Sequence, residues 1–443
     1  MRLRKTRRTQ KNLMPSYWDN GRSLTVILTL RSSFSHTASF FHNFSDLFRQ
    51  APFSLLFCSF TGLLAGIGLS LMTDMLQLLP GLMILIPPAI DMRGNIYSAL
   101  VSRLGTSMHL GLFSPTLQKG SALYQNAYAS LSLTLILSVI LGFLAKIIAD
   151  AFGLPSISLP GLIFISVIGG LIAGVILLGI AILVSIIGYR RRWDLDNISS
   201  PIITSAGDMI TIPSLFLAAV LLSNSNLLNT RWGWLSPVTL LSVLFTFVAV
   251  ISLVKGMKRS NAAVRRILIE SIPMLFICAV LGTLAGITLD SRLESLIAIP
   301  AILVILPSFL GENNALSGIL SARLSSMLHI GTVNPKRVPD KVAFSNFLVI
   351  FLLSVFIFPF VGALAYMVCI LLGISTPNLV KMLSISLLGG ILCTTFLNLA
   401  SYYIAILSFR FGMDPDNDTI PLITSLTDVV GVLCLLFVMH IIL

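Results

Sequence analysis

The segment Asp194-Leu-Asp-Asn-Ile-Ser-Ser-Pro-Ile-Ile-Thr-Ser-Ala-Gly-Asp208 returns 220 residues later as Asp414-Pro-Asp-Asn-Asp-Thr-Ile-Pro-Leu-Ile-Thr-Ser-Leu-Thr-Asp428. Eight of the fifteen positions are identical, without a gap: Asp194, Asp196, Asn197, Pro201, Ile203, Thr204, Ser205 and Asp208. Chance in a leucine-rich chain matches leucines; it does not repeat Asp, Asn, Pro and Asp in step. The chain is therefore an internal duplication. Working outward, the same offset pairs Gly62, Ala65 and Gly66 with Gly282, Ala285 and Gly286, and Arg103-Leu104 with Arg323-Leu324. It also pairs His109 with His329, Gly111 with Gly331, Pro115 with Pro335, and Gly169-Gly170 with Gly389-Gly390.

The solvent of this duplicated fold follows from composition. Of 443 residues, 56% are hydrophobic and only 10% charged, where a soluble domain carries about 25% charged residues. Such a chain cannot cover a water-facing surface, but it suits a lipid-facing one. The net charge of +12 is not a nucleic-acid footprint, because the basic residues cluster in short gaps between apolar runs, as topology signals do. Cys58, Cys278, Cys369, Cys393 and Cys434 lie inside apolar runs without CxxC spacing. They read as small packing side chains, not as a disulfide framework or a zinc site.

Residues 1–50 form a basic tail, opening with Arg2, Arg4, Lys5, Arg7, Arg8 and Lys11. Phe40, Phe44, Leu47 and Phe48 recur at helical spacing, which predicts an interfacial helix over Ser39–Gln50. Fifty such residues are too few for a soluble regulatory core. Beyond them eleven hydrophobic passages follow, at 52–72, 80–107, 123–148, 160–188, 200–222, 235–254, 268–290, 296–327, 343–372, 379–408 and 420–441. Each approaches or exceeds the ~20 residues a spanning helix needs. The expected organisation is a first five-helix repeat over 51–223, a connector with one extra transmembrane helix over 224–267, and a second five-helix repeat over 268–443. The fold class is thus an all-α polytopic membrane protein of 11 spans. The extra span restores orientation between two odd-numbered copies, so the repeats are parallel, related by a pseudo-twofold axis along the membrane normal. With the N-terminus inside, 24 of 29 Lys and Arg fall on the cytoplasmic side, which places the C-terminus outside.

Acidic residues inside spans are costly and mark functional sites. Asp208 follows Pro201, Thr204 and Ser205 at separations of seven, four and three, so these share one helix face; Pro421, Thr424, Ser425 and Asp428 repeat it. Both prolines are expected in the first turn of their helices. Two carboxylates facing each other in low dielectric need a positive partner, and neither span supplies a Lys or Arg, so a bound cation is the natural neutraliser. Carboxylate, hydroxyl and amide oxygens suit hard cations, and two carboxylates suit a Mg²⁺ that keeps several waters. The bland alternative is that each Asp hydrogen-bonds a neighbouring helix.

The second and eighth passages are interrupted by Asp91-Met92-Arg93-Gly94-Asn95 and Gly311-Glu312-Asn313-Asn314, shortly after Pro87, Pro88 and Pro307. Helices broken at these points would line a cavity, making Asp91, Gly94, Asn95, Glu312, Asn313 and Asn314 pore-lining candidates. Asp194, Asp196, Asn197, Asp414, Asp416 and Asn417 form either an acidic cytoplasmic entrance or helix caps. His109 and His329 read as membrane-interface residues, and Arg103 and Arg323 as inner-leaflet anchors.

The Arg93-Gly94-Asn95 to Ser102-Arg103-Leu104 stretch and the Asp-x-Asp-Asn…Pro…Thr-Ser…Asp signature resemble the MgtE-type magnesium transporters. The resemblance is closer to their solute-carrier relatives, in which the five-helix pore domain is duplicated in one chain. It covers nearly all of residues 51–443. It implies transport of Mg²⁺ or of divalent cations more broadly through a pore between the copies, with the family's pore aspartate falling on Asp208 and Asp428. It also places the family's polar break in the second helix on Gly94 and Asn95, and on Asn313 and Asn314. Thr204, Ser205, Thr424, Ser425, Asn95 and Asn314 join the aspartates as candidate ion ligands, with Mg²⁺ as the substrate ion and no organic cofactor. The expected partners are divalent cations and the lipid bilayer of the plasma membrane, not nucleic acid. One chain supplies both halves of the pore, so a monomer suffices, although the sequence leaves a homodimer open. A carrier of a small organic solute and an intramembrane aspartyl protease are the competing readings. Ala206-Gly207-Asp208 lacks the Gly-x-Gly-Asp of the proteases, and the repeated face lacks aromatic clusters for a solute.

Overall fold

The computed structural model describes residues 45–111, 113–191, 195–224, 236–258, 261–411 and 420–443, with the side chains of 45–50, 109, 195–201 and 224 outside that description. The described residues form thirteen helices and no strand. In chain order they are α1 (Ser45–Ser70), α2 (Thr73–Leu78), α3 (Leu82–His109), α4 (Ala122–Ala151), α5 (Leu159–Arg191), α6 (Leu195–Asn224) and α7 (Pro237–Gly256). There follow α8 (Ala262–Asp290), α9 (Leu293–Ala298), α10 (Pro300–Ile330), α11 (Lys341–Leu372), α12 (Leu379–Phe411) and α13 (Ile420–Ile442). Residues 53–443 make one compact unit.

The 220-residue offset governs structure as well as sequence. Adding it to the bounds of α2 gives those of α9, and adding it to α5 gives those of α12. Copy one is thus α1–α6, copy two is α8–α13, and α7 stands between them. Each copy carries, besides five long helices, a six-residue helix between the first and second, too short to appear as an apolar passage. Among the described residues ten helices are long and apolar enough to cross a membrane. The eleventh expected passage corresponds to α3, 28 residues long, which carries Asp91, Arg93 and Arg103 and is not among the ten.

The two expected interruptions are absent. Residues 91–95 and 311–314 lie inside continuous helices, with Pro87 and Pro88 inside α3 and Pro307 inside α10. The polar side chains do not require unwound backbone, because they find partners on neighbouring helices or on their own: Asn95 donates to Asp91 one turn back at 3.0 Å, and Ser59 on α1 donates to one oxygen of Glu312 at 2.6 Å. For Pro421 the expectation of a place in a first helical turn rests on residues before Ile420, which lie outside the described residues. It fails for Pro201, because α6 begins six residues earlier at Leu195. At the N-terminal side, helix from Ser45 runs unbroken through α1; the remainder of the interfacial helix expected over Ser39–Gln50 lies outside the described residues.

The copies are interlocked through their first helices. Gly62 and Gly66 of α1 lie against Ser308 and Val304 of α10, and Gly282 and Gly286 of α8 lie against Pro88 and Ile84 of α3. Each first helix therefore packs on the second helix of the other copy. A Cβ on Gly62 would come within 2.5 Å of the Ser308 Cα, and one on Gly282 within 2.7 Å of the Pro88 Cα. Small residues four apart let backbones approach this closely, which is how helices gain packing energy in a medium as apolar as their side chains. Ser308 Oγ adds a bond to the Ser59 carbonyl at 3.1 Å. Helix α8 also packs on α4 and α13.

Helix α7 sits against copy one, on α4 and α5. Ala249, Ile136, Val139, Ile163 and Val167 form the shared core, flanked by Phe245 and Leu253. Ser242 Oγ donates to the Pro160 carbonyl at 2.7 Å and Ser252 Oγ to Ser132 Oγ at 2.9 Å. Leu240, Val243, Leu244 and Phe247 remain exposed on its other side, the apolar surface that a bilayer covers.

Candidate ion site

Four helices carry the candidate residues: α3 and α6 from copy one, α10 and α13 from copy two. Within each copy the second helix packs on the fifth (α3 on α6, α10 on α13), and across the copies α3 touches α13 and α10 touches α6. Gly94 makes the first contact close: a Cβ there would meet Thr204 Cγ2 at 3.5 Å, and one on Gly207 would meet the Gly94 nitrogen at 3.6 Å.

Asp91 is the hub. Its Oδ1 accepts from Asn95 at 3.0 Å, and its Oδ2 accepts from Ser425 Oγ of α13 at 2.5 Å. Ser425 and Thr424 also back-bond to the Pro421 carbonyl, each at 3.0 Å. Asp428 accepts from Asn314 Nδ2 at 2.8 Å. Asp208 lies beside α10, where a Cβ on Gly311 would stand 3.7 Å from Asp208 Oδ2 and 3.1 Å from Cys58 Sγ. Asp91 is within Coulombic range of both Asp208 and Asp428, and those two are within range of each other. The ion pairs Lys146–Asp150 (2.8 Å) and Arg266–Glu270 (2.7 Å) lie elsewhere. Among the described residues none of the three carboxylates has a basic partner.

Asp91, Asn95, Asp208, Gly311 and Asn314 are partly accessible although they sit in mid-helix, whereas Asp428, at 5% exposed, and Ser205 and Ser425 are buried. Glu312 and Asn313 do not join the group. Both are 0% exposed. Glu312 is turned to Ser59 of α1, and Asn313 donates to the Phe309 carbonyl of its own helix at 2.8 Å. Successive helical residues point about 100° apart, so one helix presents Gly311 and Asn314 to the group and Glu312 to α1. Asp194, Asp414, Asp416 and Asn417, and the side chains of Asp196 and Asn197, lie outside the described residues.

Arg93, next to Gly94, points away into copy one. It is 0% exposed, bonded to the Ala89 carbonyl, to Ser138 Oγ at 3.5 Å and to the Ser166 carbonyl at 3.4 Å. Gly170 clears its place, since a Cβ there would collide with Arg93 and Ser138. Arg103 and Arg323 are held alike: each Nε donates at 2.8 Å to an asparagine Oδ1, Asn126 on α4 and Asn346 on α11. His329 bonds the Ser325 carbonyl at 2.9 Å and meets Phe409 edge to face; the side chain of His109 lies outside the described residues.

Two participants escaped the sequence reading. Cys58 and Cys278, assigned to packing, occupy equivalent positions beside the group. Cys58 neighbours Gly311, and Cys278 donates to the Pro421 carbonyl at 3.5 Å. Both pairs, Cys58/Cys278 and Asn126/Asn346, obey the 220-residue offset, so the repeat itself carried the signal.

Residues 86–218 and again 306–438 match the family model for MgtE, described as a divalent cation transporter. The two matches are offset by the same 220 residues and between them contain α3 to α6 and α10 to α13 almost whole. The chain is 27% identical over 398 residues to mouse (Mus musculus) solute carrier family 41 member 3, covering 83% of this chain and 78% of that protein. It is 25% identical over 380 residues to human (Homo sapiens) solute carrier family 41 member 2, covering 81% of this chain and 63% of that protein. No solved structure matches it. The duplicated match spans more than half the chain, and the chain belongs to the MgtE family of membrane divalent cation transporters.

Proposed function

We propose that this protein carries Mg²⁺ across the plasma membrane along a path between the two copies, with Asp208 and Asp428 as principal ion contacts and Asp91 as a third. The N-terminus is cytoplasmic and the C-terminus outside, as the Lys and Arg distribution favours. The observation that carries the reading is the gathering of three carboxylates on α3, α6 and α13 without a basic partner among the described residues. Like charges in a low-dielectric interior cannot remain together uncompensated, and a divalent cation removes two charges at once.

The donor set supports the choice of ion. Carboxylates, the Thr204 and Thr424 hydroxyls, the Ser205 and Ser425 hydroxyls, and the Asn95 and Asn314 amides are hard oxygen donors suited to Mg²⁺. Among the described residues no group of three His, Cys, Asp or Glu side chains is placed to hold a metal ion. Mg²⁺ loses water reluctantly and is usually held by one or two carboxylates through a retained shell, which matches spread carboxylates with amides between them. Both halves of the path come from one chain, so a monomer is the functional unit.

The test is Mg²⁺ uptake into proteoliposomes loaded with a Mg²⁺-sensitive dye, comparing the purified protein with Asp208→Asn and Asp428→Asn. Uptake by the wild type and its loss in both variants supports the assignment. Undiminished uptake by the variants places the path elsewhere, and a wild type that moves no Mg²⁺ under any gradient removes Mg²⁺ as the substrate.

A further inference from the structure

A cavity of about 70 Å³ opens between α3, α4, α8 and α13, and its lining includes Asn95, Arg103, Glu270, Ser271, Met274 and Pro421. A space of about 10–15 Å³ already accommodates a water, so this one holds several. Asn95 lines it, and its amide donates to Asp91 at 3.0 Å; the wall is thus one side chain from Asp91. Elsewhere in the lining Glu270 is exposed and joined to Arg266 one turn away at 2.7 Å. An exposed pair of this kind holds its members weakly, so Glu270 can exchange Arg266 for a passing cation. One NH₂ of Arg103 is buried without a protein partner; such a donor is ordinarily satisfied by water. The rest of that guanidinium is pinned by Asn126 at 2.8 Å, which fixes a positive charge on the wall that, among the described residues, only the nearby Glu270 carboxylate offsets for an entering cation.

The repeat separates framework from entrance. The Arg103–Asn126 bond recurs as Arg323–Asn346 and belongs to the scaffold of both copies. The polar residues peculiar to the cavity do not recur: Asn95, Glu270 and Ser271 correspond to Ala315, Gln50 and Ala51. We propose that this cavity is a water-filled side entrance by which a hydrated divalent cation reaches Asp91, with Glu270 receiving the ion at its mouth. The inference rests on the transport reading and adds to it a route that one side of the pseudo-dimer provides.

The experiment uses full-length Ser271→Cys in proteoliposomes, with the wild type and its native thiols as the reagent control. A cationic methanethiosulfonate reagent modifies the introduced thiol in the folded protein, Mg²⁺ slows that modification, and the attached positive charge lowers Mg²⁺ uptake about tenfold relative to the same variant untreated. An introduced thiol that reacts only after denaturation, or that reacts without change in uptake, overturns the entrance while leaving transport intact. A wild type that carries no divalent ion defeats the transport reading; absence of Mg²⁺ protection of the introduced thiol then overturns the entrance as well, and its presence sustains the route. Met274→Cys replaces Ser271→Cys if the latter misfolds. Glu270→Lys, read at limiting Mg²⁺, lowers uptake about tenfold, and unchanged uptake refutes the role of Glu270.

Discussion

Ser425 of copy two donates its hydroxyl to Asp91 of copy one at 2.5 Å, so the polar group is stitched across the two repeats. The offset puts Gly311 where Asp91 would have its counterpart, and the third carboxylate therefore belongs to one half only. At an effective dielectric of about 20, a unit charge ~4 Å from another contributes roughly 4 kcal/mol. Asp91→Asn keeps the oxygen that Ser425 bonds but removes the charge, and Mg²⁺ uptake at limiting concentration falls about tenfold or more. A double-variant cycle with Ser425→Ala, whose hydroxyl Asp91 accepts, shows coupling of roughly 0.5–3 kcal/mol, as expected for residues sharing one network. Strict additivity in the uptake assay would separate Asp91 from the site.

The interlocking of the copies makes its own claim. Gly66→Ala drives a methyl into the Val304 carbonyl, and Gly286→Ala drives one into that of Ile84. Overpacking against backbone costs about 1–3 kcal/mol, and each variant melts several degrees lower in detergent. Gly179→Ala, which lies inside helix α5 and meets nothing within 4 Å, keeps or slightly raises the melting temperature, as a better helix former does. Equal thermal behaviour of all three variants would refute the close α1–α10 and α8–α3 contacts.

Fold class and repeat were legible because burial in lipid leaves a long apolar signature and duplication leaves a constant offset. Partner choice was not. Sequence spacing places Asp91, Asn95 and Ser98 on one face of α3, but nothing in it says that α8 and not α1 covers that helix, since the exchange of first helices conserves every local pattern. The repeated Gly169-Gly170 and Gly389-Gly390 illustrate the same limit. Gly170 makes room for Arg93, whereas Gly390 makes room for Phe358; one motif serves two different neighbours. Polar residues after a proline suggested broken helices, yet Asp91 and Asn95 are one turn apart and bond each other within intact α3.

The matched Arg–Asn bonds allow a comparison inside one molecule. Asn126→Ala removes the acceptor of Arg103, whose NH₂ is already buried without a protein partner. Leaving a buried charged donor unsatisfied costs about 1–3 kcal/mol or more. Asn346→Ala does the same to Arg323, which has a further interaction, and so costs less. Thermal melts of the two single variants and the double variant show Asn126→Ala as the more harmful, with the two effects additive within about 0.5 kcal/mol, as for independent sites.

Glu312 provides the sharpest contrast between position in sequence and position in space. It neighbours Gly311, which faces Asp208, but its own carboxyl accepts from Ser59 at 2.6 Å and its other oxygen is buried without a partner. A group wholly out of reach of water, on the side of α10 turned to α1, does not meet a hydrated ion. Glu312→Gln retains an oxygen for Ser59 and supplies an amide of nearly equal volume, so Mg²⁺ uptake stays within about twofold of wild type, a change of roughly 0.4 kcal/mol. Ser59→Ala strands the carboxyl and lowers the melting temperature, the cost of a buried acceptor without its donor being about 1–3 kcal/mol. A collapse of uptake in Glu312→Gln with unchanged melting would instead place this carboxyl on the ion path.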